Sequence, residues 1–148
     1  MLLKTYKSYF ISTYMKITLI STGSDKDAGP KEIAKFLKNN NHKVSVFNYR
    51  NITKIKDSDL IVVSANPSTN KIASELIKQL KSLNKPIVYA GIYPSLSPEK
   101  CIKETDLVIT GRPKETILEL ANKLENLQKI SDIPNLWFAA TKDKLIKN

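Results

Sequence analysis

The stretch Asp59-Leu60-Ile61-Val62-Val63-Ser64 most restricts how this chain folds. Its apolar residues are continuous instead of alternating with polar ones, so a strand here has to be covered on both faces. The chain supplies the covers. Ile72, Ala73, Leu76, Ile77, Leu80 and Leu83 repeat at helical spacing directly after the strand. A buried strand followed by an amphipathic helix is half of a β-α-β unit, and such units build parallel sheets.

The same alternation runs through most of the 148 residues. Lys16-Ile17-Thr18-Leu19-Ile20-Ser21 reads as a first strand. A helix over residues 30–38 follows, with Pro30 placed at its first position. Asn39-Asn40-Asn41-His42 reads as a turn and Val44-Ser45-Val46-Phe47 as a second strand. Pro86-Ile87-Val88-Tyr89-Ala90 is a fourth strand. A short helix over residues 97–103 has Ser97 as cap and Pro98 first. Leu107-Val108-Ile109-Thr110 is a fifth strand, and residues 114–127 form the last helix. The expected fold class is therefore α/β: a doubly wound, parallel, five-stranded sheet of Rossmann-like or flavodoxin-like type, order 2-1-3-4-5, with helices on both faces. Residues 1–14 read as an N-terminal extension, before an internal start at Met15. Residues 15–128 form the domain, and residues 129–148 an extended tail or hairpin leading out of it.

Several function classes drop out. No apolar run is long enough to cross a bilayer, so no membrane role is expected. A single cysteine, Cys101, cannot form an internal disulfide, which points to a cytoplasmic setting. The net charge of +10 is dispersed lysine, with arginine only at Arg50 and Arg112; this describes a solvated surface and no specific nucleic-acid partner. There is no Gly-x-Gly-x-x-Gly after the first strand and no Walker loop. Asp25 and Asp27 lie beyond the strand end where a phosphoacceptor would sit. His42, the only histidine, precedes the second strand and so lies at the opposite end of the sheet.

Ligands of open parallel sheets bind beyond the carboxyl ends of the strands. All four glycines fall there: Gly23 and Gly29 after the first strand, Gly91 after the fourth, Gly111 after the fifth. The third strand is followed by Ala65-Asn66-Pro67-Ser68-Thr69, small and polar. This rim offers hydroxyls, amides and backbone N–H groups without an acid, base or nucleophile. It reads as a place to hold a ligand; catalysis by the chain alone is not expected.

Ordered along the chain, these stretches resemble the cobalamin (B12)-binding domain that precedes the radical S-adenosylmethionine domain in a large enzyme family. MKITLISTGSDKDAGPKEIAKFLKNNNHKVSVFN is similar to that family's opening, SDLIVVSANPSTNKIASELIKQLK to its third strand, Ser/Thr-rich loop and helix, and PIVYAGIYPSLSPEKCIKETDLVITGRPKETILEL to its fourth and fifth strands. IPNLWF resembles the segment leading to the next domain. The chain departs where the family tends to have Gly-Gly-x-His: Ala90-Gly91 and Tyr93 stand there. Its first loop, residues 24–29, carries no histidine to ligate cobalt. The resemblance implies a cobalamin-binding domain that presents B12 to a radical SAM domain or subunit. Gly23, Gly29, Ser64, Asn66, Ser68, Thr69, Gly91, Tyr93 and Gly111 would be the cofactor-binding residues. It implies that the iron–sulfur cluster and S-adenosylmethionine belong to a partner domain absent from this chain, which has no cysteine triplet. The alternatives are a ligand-free docking module of a radical SAM system, or another flavodoxin-like binder of a nucleotide or flavin.

Overall fold

The computed structural model describes residues 14–148. Apart from Tyr14, the expected extension lies outside the described residues. Five parallel strands form as the apolar runs dictate: β1 Lys16–Ser21, β2 Lys43–Asn48, β3 Leu60–Ser64, β4 Ile87–Ala90 and β5 Leu107–Ile109. Their order, 2-1-3-4-5, is the expected one. The sheet is nevertheless seven-stranded, which corrects the expectation of five. β6 Leu136–Thr141 and β7 Lys144–Lys147 join antiparallel at the β5 edge. The Ala139 N–H donates to the Asp106 carbonyl at 3.0 Å, and the Thr110 N–H to that of Asn135 at 2.9 Å, so residues expected to lead away are stitched to the sheet.

Helices cover both faces, as the two-sided strands require. α1 Ala28–Asn39 and α5 Pro113–Glu125 bury Ala34, Leu37, Ile117, Leu120, Ala121 and Leu124 against Ile17, Leu19, Leu60 and Val62. On the other face α2 Asn70–Leu80 buries Ala73, Leu76, Ile77 and Leu80 against Ile20, Ile61, Val63 and Tyr89. Neighbours along β3 thus enter different cores, each fully buried aliphatic side chain stabilising the fold by about 1.5–3 kcal/mol.

Two short helices, α3 Ile92–Leu96 and α4 Pro98–Cys101, follow β4. The expected helix after Ser97 forms as α4, with Ser97 at its N-cap position and Pro98 first, but it is shorter than expected and α3 precedes it where no helix was expected. α1 starts earlier than expected. The Asp27 carboxylate accepts the Gly29 N–H at 3.2 Å and caps it, leaving Pro30 third in the helix. His42 is buried. Its Nδ1 accepts the Met15 N–H at 3.0 Å, and its Nε2 lies 2.8 Å from Asn122 Oδ1, which fixes the Nε2–H tautomer. It ties the entry of β1 to α5, at the amino end of the sheet.

Candidate functional site

Strand register brings Asn48, Ser21, Ser64 and Ala90 into one line across the carboxyl edge of the sheet. The loops beyond that line interlock. Thr22 Oγ1 donates to the Ser64 carbonyl at 2.7 Å and lies 2.8 Å from Thr69 Oγ1. Asn66 Oδ1 accepts from the Ser68 N–H at 2.9 Å, the Ser68 hydroxyl at 2.6 Å and the Thr69 N–H at 3.1 Å, a side-chain-closed turn that delivers the chain into α2. The Asn48 side-chain amide donates to the Gly23 carbonyl at 2.9 Å, and the Gly23 N–H donates to Ser21 Oγ at 3.2 Å.

Gly91 has φ 108° and ψ −168°, a region open essentially to glycine alone. A Cβ there would meet the Ala65 carbonyl oxygen at 2.6 Å. The close approach that demands glycine is therefore made by the neighbouring loop. Gly111 differs: its φ is 84°, yet nothing lies within 4 Å of an added Cβ. Ser95 bridges the pair. Its Oγ accepts the Gly111 N–H at 2.8 Å and donates to the Gly91 carbonyl at 2.8 Å.

Of the nine residues expected at the site, Gly23, Asn66, Ser68, Thr69, Gly91 and Gly111 sit in these carboxyl-end loops, Ser64 ends β3 and Tyr93 lies in the first turn of α3. Gly29 does not line these loops; it is the second residue of α1, held by its cap. Tyr93 donates its N–H to the Ala65 carbonyl at 3.1 Å. Its ring is turned onto Tyr89, centroids 6.2 Å apart, and packs on the second core. Sequence reasoning missed Ile92 and Leu96. They lie one helical turn apart on α3 with 62% and 69% of their surface exposed, an apolar ledge at the rim. The i, i+4 spacing was readable, but Tyr93-Pro94-Ser95 resembles a loop.

Beneath the ledge the side chains are inert. Burial, then Glu104 and Glu99, pushes the Cys101 thiol up to about 12. Burial, then Cys101 and Glu104, holds the Tyr89 hydroxyl well above the ordinary phenol range; among the described residues it has no hydrogen-bond partner. The described residues gather no group of three or more His, Cys, Asp or Glu side chains suited to a metal ion, and none of their helices is long and apolar enough to cross a membrane. A cavity of about 900 Å³, lined by residues including Leu83, Ile87, Leu107 and Phe138, lies at the amino end of β4 and β5, away from the rim.

The strand order and the helices on both faces define a doubly wound α/β domain. No protein-family model and no curated protein matches the sequence. Solved structures do match. The fold is similar to part of the cobalamin-dependent S-adenosylmethionine radical enzyme OxsB, solved with aqua-cobalamin and S-adenosylmethionine bound, at 17% identity and a TM-score of 0.77 over 92% of this chain. It is also similar to part of the radical S-adenosylmethionine methyltransferase TsrM from Kitasatospora setae, solved with cobalamin and an iron–sulfur cluster bound, at 14% identity and a TM-score of 0.75 over 91% of this chain. The chain spans 22% of the OxsB chain and 29% of the TsrM chain.

Proposed function

We propose that this chain is a cobalamin-binding domain that presents the cofactor to a radical S-adenosylmethionine module lying outside these residues. The observation that carries the reading is the fold shared, over nearly the whole chain, with parts of two enzymes solved with cobalamin bound. The rim fits such a ligand in kind. Ile92 and Leu96 offer an apolar face to a corrin, and Gly111 leaves room for the last loop to approach it. Ser68 is exposed next to the start of α2, and Pro113 opens α5, so both helix N-termini favour the phosphate of the nucleotide tail.

Roles divide accordingly. Ser68, with Ser64, Asn66 and Thr69 behind it, faces the tail. Gly91 and Tyr93 support the α3 ledge, and Gly23 borders the β1 side; Gly29, inside α1, acts only through the start of that helix. The first loop offers cobalt no histidine, and both nitrogens of His42 are engaged at the far end. Bound cobalamin supplies cobalt-centred redox and group-transfer chemistry, while the protein orients it and shields one side from water. Mixing the purified chain with hydroxocobalamin and passing it over gel filtration tests this. Co-elution of the red cofactor supports the reading, and elution of all of it as free cobalamin from tens of micromolar defeats it.

One observation favours a second reading, a ligand-free docking module. The polar groups of Thr22, Asn66 and Thr69 are largely satisfied by one another, and the ledge is apolar. It predicts that a radical SAM protein with a cysteine triplet binds the chain equally well with and without cobalamin.

A further inference from the structure

The opposite flank of the molecule has an unguarded strand. β2 is the outer strand of the sheet. The Lys43 N–H donates inward to the Met15 carbonyl at 3.0 Å. Backbone direction alternates along a strand, so Val44 and Val46 turn their N–H and C=O groups outward, where the described residues form no further strand. Val46 is 38% exposed. It shares a groove of about 320 Å³ with Lys31, Ala34, Lys35 and Lys38 of α1. All three lysines are exposed, and none makes an ion pair among the described residues.

The spacings match. Lys31, Lys35 and Lys38 rise about 6 Å and about 4.5 Å along the helix. Alternate residues of a strand are about 6.7 Å apart. A strand laid beside β2 would bring every second side chain on one of its faces to a lysine.

We propose that the β2 edge is a docking site for an extended acidic segment of a partner polypeptide, added to the sheet as a further strand with its alternate carboxylates on Lys31, Lys35 and Lys38. A second copy of this chain is a poor occupant, because pairing two β2 edges sets lysine row against lysine row. A nucleic acid could use the lysines but has no alternating N–H and C=O groups at strand spacing to pair in register with those of Val44 and Val46. The inference does not depend on cobalamin.

The test is fluorescence anisotropy at low ionic strength with a labelled peptide of alternating Glu and Val. Three further probes are its analogue with two central Val replaced by Pro, its analogue with Lys for Glu, and a labelled oligothymidylate. The Glu/Val peptide is expected to bind. The segment is taken to run parallel to β2, like the neighbouring strands; its Val residues, on the face away from α1, then turn their N–H groups toward β2, and proline should weaken binding by about tenfold or more through two lost main-chain hydrogen bonds. The triple variant Lys31→Glu, Lys35→Glu, Lys38→Glu should weaken it by about fivefold or more. Binding should also slow hydrogen exchange at the Val44 and Val46 amides. The proposal is overturned if the Glu/Val peptide does not bind, if the proline analogue binds equally well, or if oligothymidylate binds more tightly than the peptide.

Discussion

Replacing Gly91 by alanine should be far more damaging than the same change at any other glycine. Two costs combine at this position. The backbone sits at φ 108° and ψ −168°, where a residue with a Cβ is strained by about 1–3 kcal/mol. The new Cβ would also lie 2.6 Å from the Ala65 carbonyl oxygen, 3.1 Å from the Ala65 nitrogen and 3.2 Å from Ser64 Oγ. Two of those atoms are backbone, pinned by the bonds from Ala65 N–H to the Ala90 carbonyl and from Tyr93 N–H to the Ala65 carbonyl. Relieving the overlap means moving the β3 and β4 ends apart, at a further ~1–3 kcal/mol. The sum is about 4 kcal/mol, or roughly 10–15 °C in Tm for a domain of this size. Urea unfolding followed by circular dichroism measures it. Gly111→Ala carries strain without overlap and should cost about 1–2 kcal/mol. Gly29→Ala, in a helix with only ordinary contacts, should be neutral or stabilising by up to about 1 kcal/mol. If Gly91→Ala costs no more than Gly111→Ala, the packing account of this loop is refuted.

Other outcomes follow from the same structure. His42→Ala should cost about 2–4 kcal/mol in urea unfolding, because it opens a buried site and leaves the Met15 N–H and the Asn122 side chain without a mutual partner. Cys101 should resist iodoacetamide at pH 8 until the chain is unfolded, since its thiol is buried and neutral. Folding raises its pKa, so its stabilising contribution is complete below the ordinary value of 9.0 and is lost as pH rises to about 12. Wild type should therefore lose stability over that interval more steeply than Cys101→Ala. Ile92→Asp and Leu96→Asp should each alter stability by no more than about 0.5 kcal/mol, being exposed, yet abolish hydroxocobalamin co-elution.

The parallel strands were legible because β3 and its neighbours are apolar on both faces, a signal that tertiary context rarely overrides. The docking of the tail was not. A hairpin was one of two expectations for residues 129–148, but its pairing with β5 rests on main-chain bonds from Ala139 to Asp106 and from Thr110 to Asn135, which leave no trace in side-chain pattern. Pro30 suggested a helix start, but the cap was two residues of helix away, at Asp27. Pro94 suggested a loop, yet it stands third in α3, where a missing N–H costs nothing. The glycines mark the carboxyl rim, but partly for another reason than the approach of a ligand. Only Gly91 and Gly111 have positive φ, and Gly91 accommodates the chain's own Ala65. Tyr93 gave no sequence signal for its direction, because its orientation is set by Tyr89 across the β4–α3 junction.

The most direct test of the account is an amide spectrum of the isotope-labelled chain titrated with hydroxocobalamin. The account predicts saturable shifts confined to the carboxyl-end loops: Gly23, Ser68, the amides from Gly91 to Leu96 except Pro94, and Gly111. Shifts clustered instead around Leu83, Ile87 and Phe138 at the amino end, or no shifts at all, would contradict it.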